Sequence, residues 1–273
     1  MSLQKVITEA VAAISSEGYT SPEQLEYWLT RLRRAAQDSL SPESVLRDQL
    51  EGALRAIYTK QVDQGAILKH HPGVSKFTLD KIKPQLHAQL TRRIMASADL
   101  IKRNRQAAIE KTLQRFSGWA TSIPEGGSKN VEKVEEKSHI RKALAQLPFE
   151  ERRVLIDQGH KLNSAINEAV AQQGGAIAVI WHSHWRQPGY NYRVDHKERD
   201  QKVYLLKSSW AKEKGLVKAG KVGYYEDVTS FGEEPFCRCF GQYVYNLRSL
   251  PEDMLTVKGK TALEDARRAL SAS

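Results

Sequence analysis

Apolar residues recur every three to four positions over most of the first 173 residues, the spacing of a single buried stripe along an α-helix. Leu3, Val6, Ile7, Ala10, Val11 and Ile14 make the first stripe, and Gly18 ends it. Ser21-Pro22-Glu23-Gln24 is a helix start: Ser caps, Pro fits the first helical position, and Gln can close a capping box. Leu25, Trp28, Leu29 and Leu32 follow as the second stripe. Ser41-Pro42-Glu43 repeats the start signal and opens a third helix, with Val45, Leu46, Leu50, Leu54 and Ile57 on its buried face. Residues 65–74, GAILKHHPGV, break the pattern and predict a solvated loop. A long helix is predicted from 78 to about 120, with Pro84 marking a kink or its true start. Residues 123–128, IPEGGS, look like a linker. A charged helix over 130–147 follows, and Pro148 then opens a helix over 149–173 with Val154, Leu155, Leu162, Ile166 and Val170 inward.

After Gly175 the period shortens. Residues 176–181, AIAVIW, are β-branched and strand-sized, and 203–206 predict a second strand. Weaker strand signals lie at 216–217 and 222–225; residues 239–247 predict a last strand and 261–270 a short polar helix. The fold class expected is α+β: a long, mostly helical N-terminal region and then a small mixed α/β domain. The expected divisions are 1–127, 128–250 and a tail over 251–273.

Composition narrows this little. The chain has 273 residues, 40% hydrophobic and 27% charged, enough for a real core and no sign of wholesale disorder. Net charge is +10, a balance that suits work near polyanions. The charge is spread: residues 174–273 carry 16 basic against 12 acidic residues, +4, which leaves +6 for the rest. That argues against one dedicated DNA-binding module. The basic residues of the long helix, Arg92, Arg93, Arg103 and Arg105 among them, are where nucleic acid could come near, although no aromatic residues interleave with them for base stacking. No apolar run reaches the ~20 residues that span a bilayer, and the N-terminus lacks a secretory-signal pattern. Two cysteines make no disulfide framework, so a reduced cytosolic compartment is expected.

Candidate chemistry concentrates in residues 181–239. His182 and His184 share a strand face, as do Cys237 and Cys239; with His196 they offer enough imidazoles and thiols for a tetrahedral zinc ion. C-x-C is not the usual C-x₂₋₄-C knuckle, and the same residues could simply be half-buried and hydrogen-bonded. Asp195-His196 could open an HNH nuclease motif, but no His follows His196 and Asn246 is the sole later Asn. A Cys-His catalytic pair with Arg238 depressing a thiol pKa is open on composition alone. His70-His71 is a poor metal pair, because adjacent residues do not share a face. Alternating charges at Arg193, Asp195, Arg199 and Asp200, with Trp181, Trp185, Tyr190 and Tyr192 as bulk, favour a compact knot whose polar groups hold turns.

The order of these residues resembles a known family. An apolar strand ends in Trp181, Arg193-Val-Asp195-His196 follows, then a short strand at Lys202-Val203-Tyr204, and a Gly/Pro-bearing loop closes in Cys237-Arg238-Cys239. This looks like the C-terminal domain of phage Mu F-like minor head proteins, the phage head morphogenesis family, over about residues 150–245. The family usually has Asn before its C-R-C; here Phe236 stands there, and His182-Ser-His184 is extra. The resemblance implies a tailed-phage virion protein of the head, made in the host cytoplasm. It implies portal or capsid proteins as partners, packaged DNA nearby, and roles in head assembly and DNA packaging or ejection. It brings no catalytic residues and no small-molecule substrate. Trp181, Arg193, Asp195, His196, Cys237, Arg238 and Cys239 are then a structural motif, and no cofactor is expected unless zinc is held there. The alternatives are a zinc- or Cys/His-dependent enzyme and a DNA-binding protein.

Overall fold

The computed structural model describes residues 2–128 and 133–271. It is α+β and divides into two compact units, Met1–Glu51 with Ile94–Leu155, and Gly52–Arg93 with Ile156–Ser273. These units do not coincide with the linear divisions read from the sequence. The chain passes between them inside three helices rather than at linkers, and the one glycine at a boundary, Gly52, lies within α3 (Glu43–Tyr58).

The first unit is helical. It contains α1 (Leu3–Glu17), α2 (Pro22–Asp38), the start of α3 (Glu43–Tyr58), the second part of α4 (Lys76–Ala120), α5 (Lys133–Ala145) and the start of α6 (Leu147–Gln173). The apolar stripes meet in one core, in which Ile7, Ile14, Leu32, Phe116, Ile140 and Leu147 are at most 1% exposed. Burying each such side chain stabilises by about 1.5–3 kcal/mol. The α2 start forms as its sequence dictates: Ser21 Oγ accepts from the Gln24 N–H at 3.2 Å, and Gln24 Oε1 accepts from the Thr20 N–H at 3.1 Å. Gly18 after α1 has φ +78, and a Cβ there would fall 1.9 Å from the Pro124 carbonyl oxygen, so only glycine lets the two loops close. One expectation needs correction. Val45 is 44% exposed, so the third stripe is narrower than its sequence suggests. The first residues of the helix expected from 130, Asn130 to Glu132, lie outside the described residues.

The second unit is built on a three-stranded antiparallel sheet in the order β2-β1-β3, with β1 Ala178–His182, β2 Val203–Leu205 and β3 Phe240–Val244. Val179 pairs with Tyr204 and Tyr243, and all three face one core; Ala178 pairs with Leu205 and Val244, and these face another. The alternation follows from the two-residue period of a strand. Trp181 lies opposite Gly241. A Cβ on Gly241 would come within 2.5 Å of Phe231 and Val179, so its absence lets the Phe231 ring close on Trp181 at 4.4 Å. The weak strand signals at 216–217 and 222–225 yield only isolated bridges, Val217 to Leu255 and Tyr224 to Leu205. The C-terminal helix, Val257–Ser271, starts four residues earlier than expected.

The segment after α3 is more ordered than its glycine and proline suggest. Thr59–Asp63 form a π-helical turn and Ala66–His70 a 3-10 helix. His71 is no solvated loop residue. It is 1% exposed, its Nδ1 bonds the Tyr245 hydroxyl, and its Nε2 lies 3.2 Å from Asn167 Oδ1. Burial lowers its pKa to about 4, with the Asn167 contact opposing. α4 begins at Lys76, and Pro84 lies inside it rather than at its start. Among the described residues, no helix is long and apolar enough to cross a membrane.

Candidate metal centre

Three short elements of the second unit bring the site together. β1 delivers Trp181, fully buried at the sheet centre. The helical turn α7 (Val194–Glu198) turns His196 inward, leaving it 2% exposed. The loop entering β3 supplies Cys237 and Cys239, 1% and 3% exposed; the two-residue spacing puts both sulfurs on one side of an extended chain.

The imidazole is the hub. His196 Nδ1 lies 3.7 Å from Cys237 Sγ and 3.4 Å from Cys239 Sγ. The metal-binding atoms of these three residues all lie within 4.8 Å of one another. On the opposite edge of the ring, Nε2 is 3.6 Å from Glu234 Oε2 and 3.8 Å from Asp195 Oδ2. The Trp181 ring meets the imidazole edge-on at 5.5 Å. Neither carboxylate closes a hydrogen bond to Nε2, but their charge beside it favours the tautomer with its proton there, which leaves the Nδ1 lone pair toward the sulfurs.

The two thiols behave as a pair. Cys237 has its pKa lowered to about 5 by the hydrogen bond from the Cys239 thiol, helped by the backbone N–H groups of Gly232 and Cys239 and by His196, against the opposing effect of burial. The Cys239 thiol is pushed up by holding that shared proton and by burial. The Ser183 hydroxyl and the Trp181 indole N–H bear on the Cys239 sulfur and favour its thiolate, although neither closes a hydrogen bond of ordinary geometry.

The surrounding charges hold the loops. Arg193 pairs with Glu234 and donates to the Pro235 carbonyl at 2.9 Å. Arg199 donates to Asp195 at 2.7 Å and to Thr229 at 2.8 Å, and its guanidinium lies 5.0 Å from the Trp181 ring. Asp200 accepts from the Ser183 N–H at 2.8 Å and the Trp185 indole at 2.9 Å. These bonds keep its carboxyl below the usual range although desolvation opposes them. Arg238 does not act on the thiols. Its guanidinium lies 5.6 Å from the Tyr190 ring, and its backbone N–H donates to the Tyr190 hydroxyl at 3.3 Å.

His182 and His184 stay outside the group. His182 stacks on Phe240 at 4.9 Å and bonds Gln242 and Gln201; His184 lies against the same Phe240 ring at 5.8 Å. Strand alternation decides this, because Trp181 faces the buried side and its neighbour His182 must face the other. The basic residues of α4 also divide. Arg105, with 7% of its side chain exposed, bonds Glu151 at 2.7 Å and the Ser41 carbonyl at 2.6 Å, so it is an internal tie of the first unit and not a phosphate contact. Arg93 is half-buried, Arg103 pairs with Asp99 at 2.8 Å on the surface, and Arg92 is exposed.

Sequence reasoning missed Glu234, Ser183 and Asp157. Asp157, on α6, is buried and accepts the Phe236 N–H at 2.6 Å, while Lys161 approaches its other oxygen at 3.2 Å. No local pattern links residue 157 to residue 236. Phe236 has φ +60, the left-handed region that suits Gly and Asn. A Phe there is held by the loop closing around Asp157. No protein-family model matches this chain, and no curated protein and no solved structure matches it significantly.

Proposed function

We propose that this chain is a non-enzymatic assembly protein of a tailed-phage head, acting beside portal or capsid proteins with packaged DNA nearby, and that its second unit closes around a structural zinc ion. The observation that carries the reading is convergence. Trp181 from β1 and Cys237 and Cys239 from the loop before β3, with Asp195 beside it in the chain, meet at His196, and all belong to the pattern that resembles the phage head morphogenesis family. The arrangement suits a knot that holds strands and loops more than a reaction centre, because the imidazole and both sulfurs are buried.

Zinc fits the donors. Bonds of about 2.3 Å to sulfur and 2.05 Å to nitrogen at a tetrahedral angle put N and S about 3.6 Å apart, against 3.4 and 3.7 Å here. Thiol hydrogen bonds, with the Cys239 thiol donating to Cys237, give similar separations, and a metal would replace them by holding both sulfurs and the nitrogen at once. The lowered Cys237 pKa and the carboxylates behind Nε2 are the surroundings that zinc ligands commonly have. The described residues supply three ligands, which leaves the fourth position to water or a partner group as in a catalytic zinc; it is the burial of all three that favours a structural role here.

Two measurements test the proposal. Metal analysis of the purified chain should find one zinc per molecule, with a chelator lowering the melting temperature of the second unit. In infected cells the chain should sediment with assembled heads, and phage lacking it should yield fewer filled particles. A chain that stays apart from heads would sink the assembly reading. Hydrolytic turnover dependent on the zinc would move it to the enzyme class.

A further inference from the structure

We infer that a cleft beside β3 in the second unit binds a nucleotide, its base held by carboxamides and aromatic rings and its phosphate toward Lys69 and His70. The cleft has a volume of about 500 Å³, within the range of small-molecule sites. This inference is independent of the head-assembly reading and departs from the expectation of no small-molecule ligand.

Three of the lining residues carry buried polar atoms with no hydrogen-bond partner: Gln61 Oε1, Asn163 Oδ1 and the Tyr243 hydroxyl. Each such group destabilises the fold unless something pairs with it. The three come from the π-helical turn, α6 and β3 and lie just under the cleft surface, where a small turn of each side chain would let a ligand's own donors and acceptors pair them. Gln61 also sits in the π-helical turn Thr59–Asp63, and single π-turns are rare and concentrate at functional sites. The neighbouring amides are already engaged and act as supports. Asn167 bonds His71 and the Asn163 carbonyl, and Gln242 bonds His182.

The lining selects the ligand class. It contains no carboxylate, so a cation has no counter-charge, while Lys69 and His70 favour an anion. Carboxamides offer a donor and an acceptor side by side, the pairing that reads a base edge. Phe240, half exposed and backed by His182, offers a ring for stacking. A neutral sugar would leave the basic pair unused. An extended peptide added to β3, an edge strand, would draw on strand backbone and would not need the orphaned side-chain atoms. The same chemistry could come from a free mononucleotide or from an unstacked base of single-stranded DNA.

Calorimetric titration of the full chain with the four deoxynucleoside 5′-monophosphates, and with a short single-stranded oligonucleotide, tests the inference. Saturable binding at one site per chain is expected, weakened by about 10-fold or more in Gln61→Leu and in Asn163→Leu, which corresponds to loss of one well-made hydrogen bond. Both variants should melt no lower than the parent, because each removes an unpaired buried polar atom. Lys69→Ala should weaken a nucleotide but not the matching nucleoside. An oligonucleotide that binds more tightly per site than any mononucleotide assigns the site to a DNA strand, and equal affinity assigns it to the free nucleotide. Absence of saturable binding at millimolar concentration overturns the inference. So does binding indifferent to Gln61→Leu and Asn163→Leu, or saturable binding of an extended peptide alone.

Discussion

The two units reach stability by different means. The first buries a continuous apolar core from helices whose stripes are plain in the sequence, and its internal polar tie, Arg105 with Glu151 and the Ser41 carbonyl, has its hydrogen bonds made. The second has a short sheet, and among the residues it buries are His71, His196, Cys237, Cys239, Tyr225 and Tyr243. A three-stranded sheet with strands of three to five residues offers too little apolar area to hold long loops by itself, so polar groups have to do part of the holding. The first unit should therefore respond to loss of volume, and the second to loss of a metal ligand, gain of a proton or a change of backbone fit.

The largest effect that would sharpen this contrast is on the proposed zinc group. Cys239→Ser should cost the second unit on the order of 5 kcal/mol or more, because metal-binding energy is folding energy. Segment-resolved hydrogen exchange should show residues 156–271 losing protection while α1 and α2 keep theirs. Equal loss in both units would break the comparison. Next is Leu32→Ala, which removes a fully buried side chain of the helical core and should cost about 2–5 kcal/mol. That cost should be the same with and without a chelator, as chemical denaturation would read directly.

Acid separates the units a third way. His71 has a folded pKa of about 4, depressed by burial, against 6.5 when exposed. A depressed base binds its proton more readily when unfolded, so its contribution is complete above pH 6.5 and is lost as pH falls toward 4. The loss amounts to about 3 kcal/mol by linkage. His71→Gln should flatten that part of the stability profile. A parent profile already flat between pH 6.5 and 4 would show that this histidine is not buried neutral. The smallest effect expected is at Phe236. Phe236→Asn relieves a left-handed backbone position and should raise stability by about 1 kcal/mol, provided the Asp157 contact survives. A fall in melting temperature would show instead that the half-exposed ring is packed to advantage.

Local regularities explain which parts were legible in sequence. α1, α2 and most of α6 could be read because each helix has its own period and cap, as with Ser21 and Gln24. β1 and β3 stood out through β-branched and aromatic residues. The π-helical turn, the burial of His71 and the bridge status of 216–217 were not readable, since each depends on partners far along the chain, such as Tyr245, Asn167 and Leu255. The candidate site was half legible. Cys237, Cys239 and His196 were singled out by residue type, whereas Glu234 and Asp157 carried no local signal.

By itself, the sequence determined the α+β class, the helix stripes and the residue types from which any metal group would be drawn, because those follow from periodicities of 3.6 and 2 and from side-chain chemistry. Only the tertiary structure decided which histidine joins the cysteines. His182 and His196 are equivalent in composition, but strand alternation turns one out to Phe240 while α7 turns the other into the core, and a metal ligand is defined by distance rather than by order along a chain.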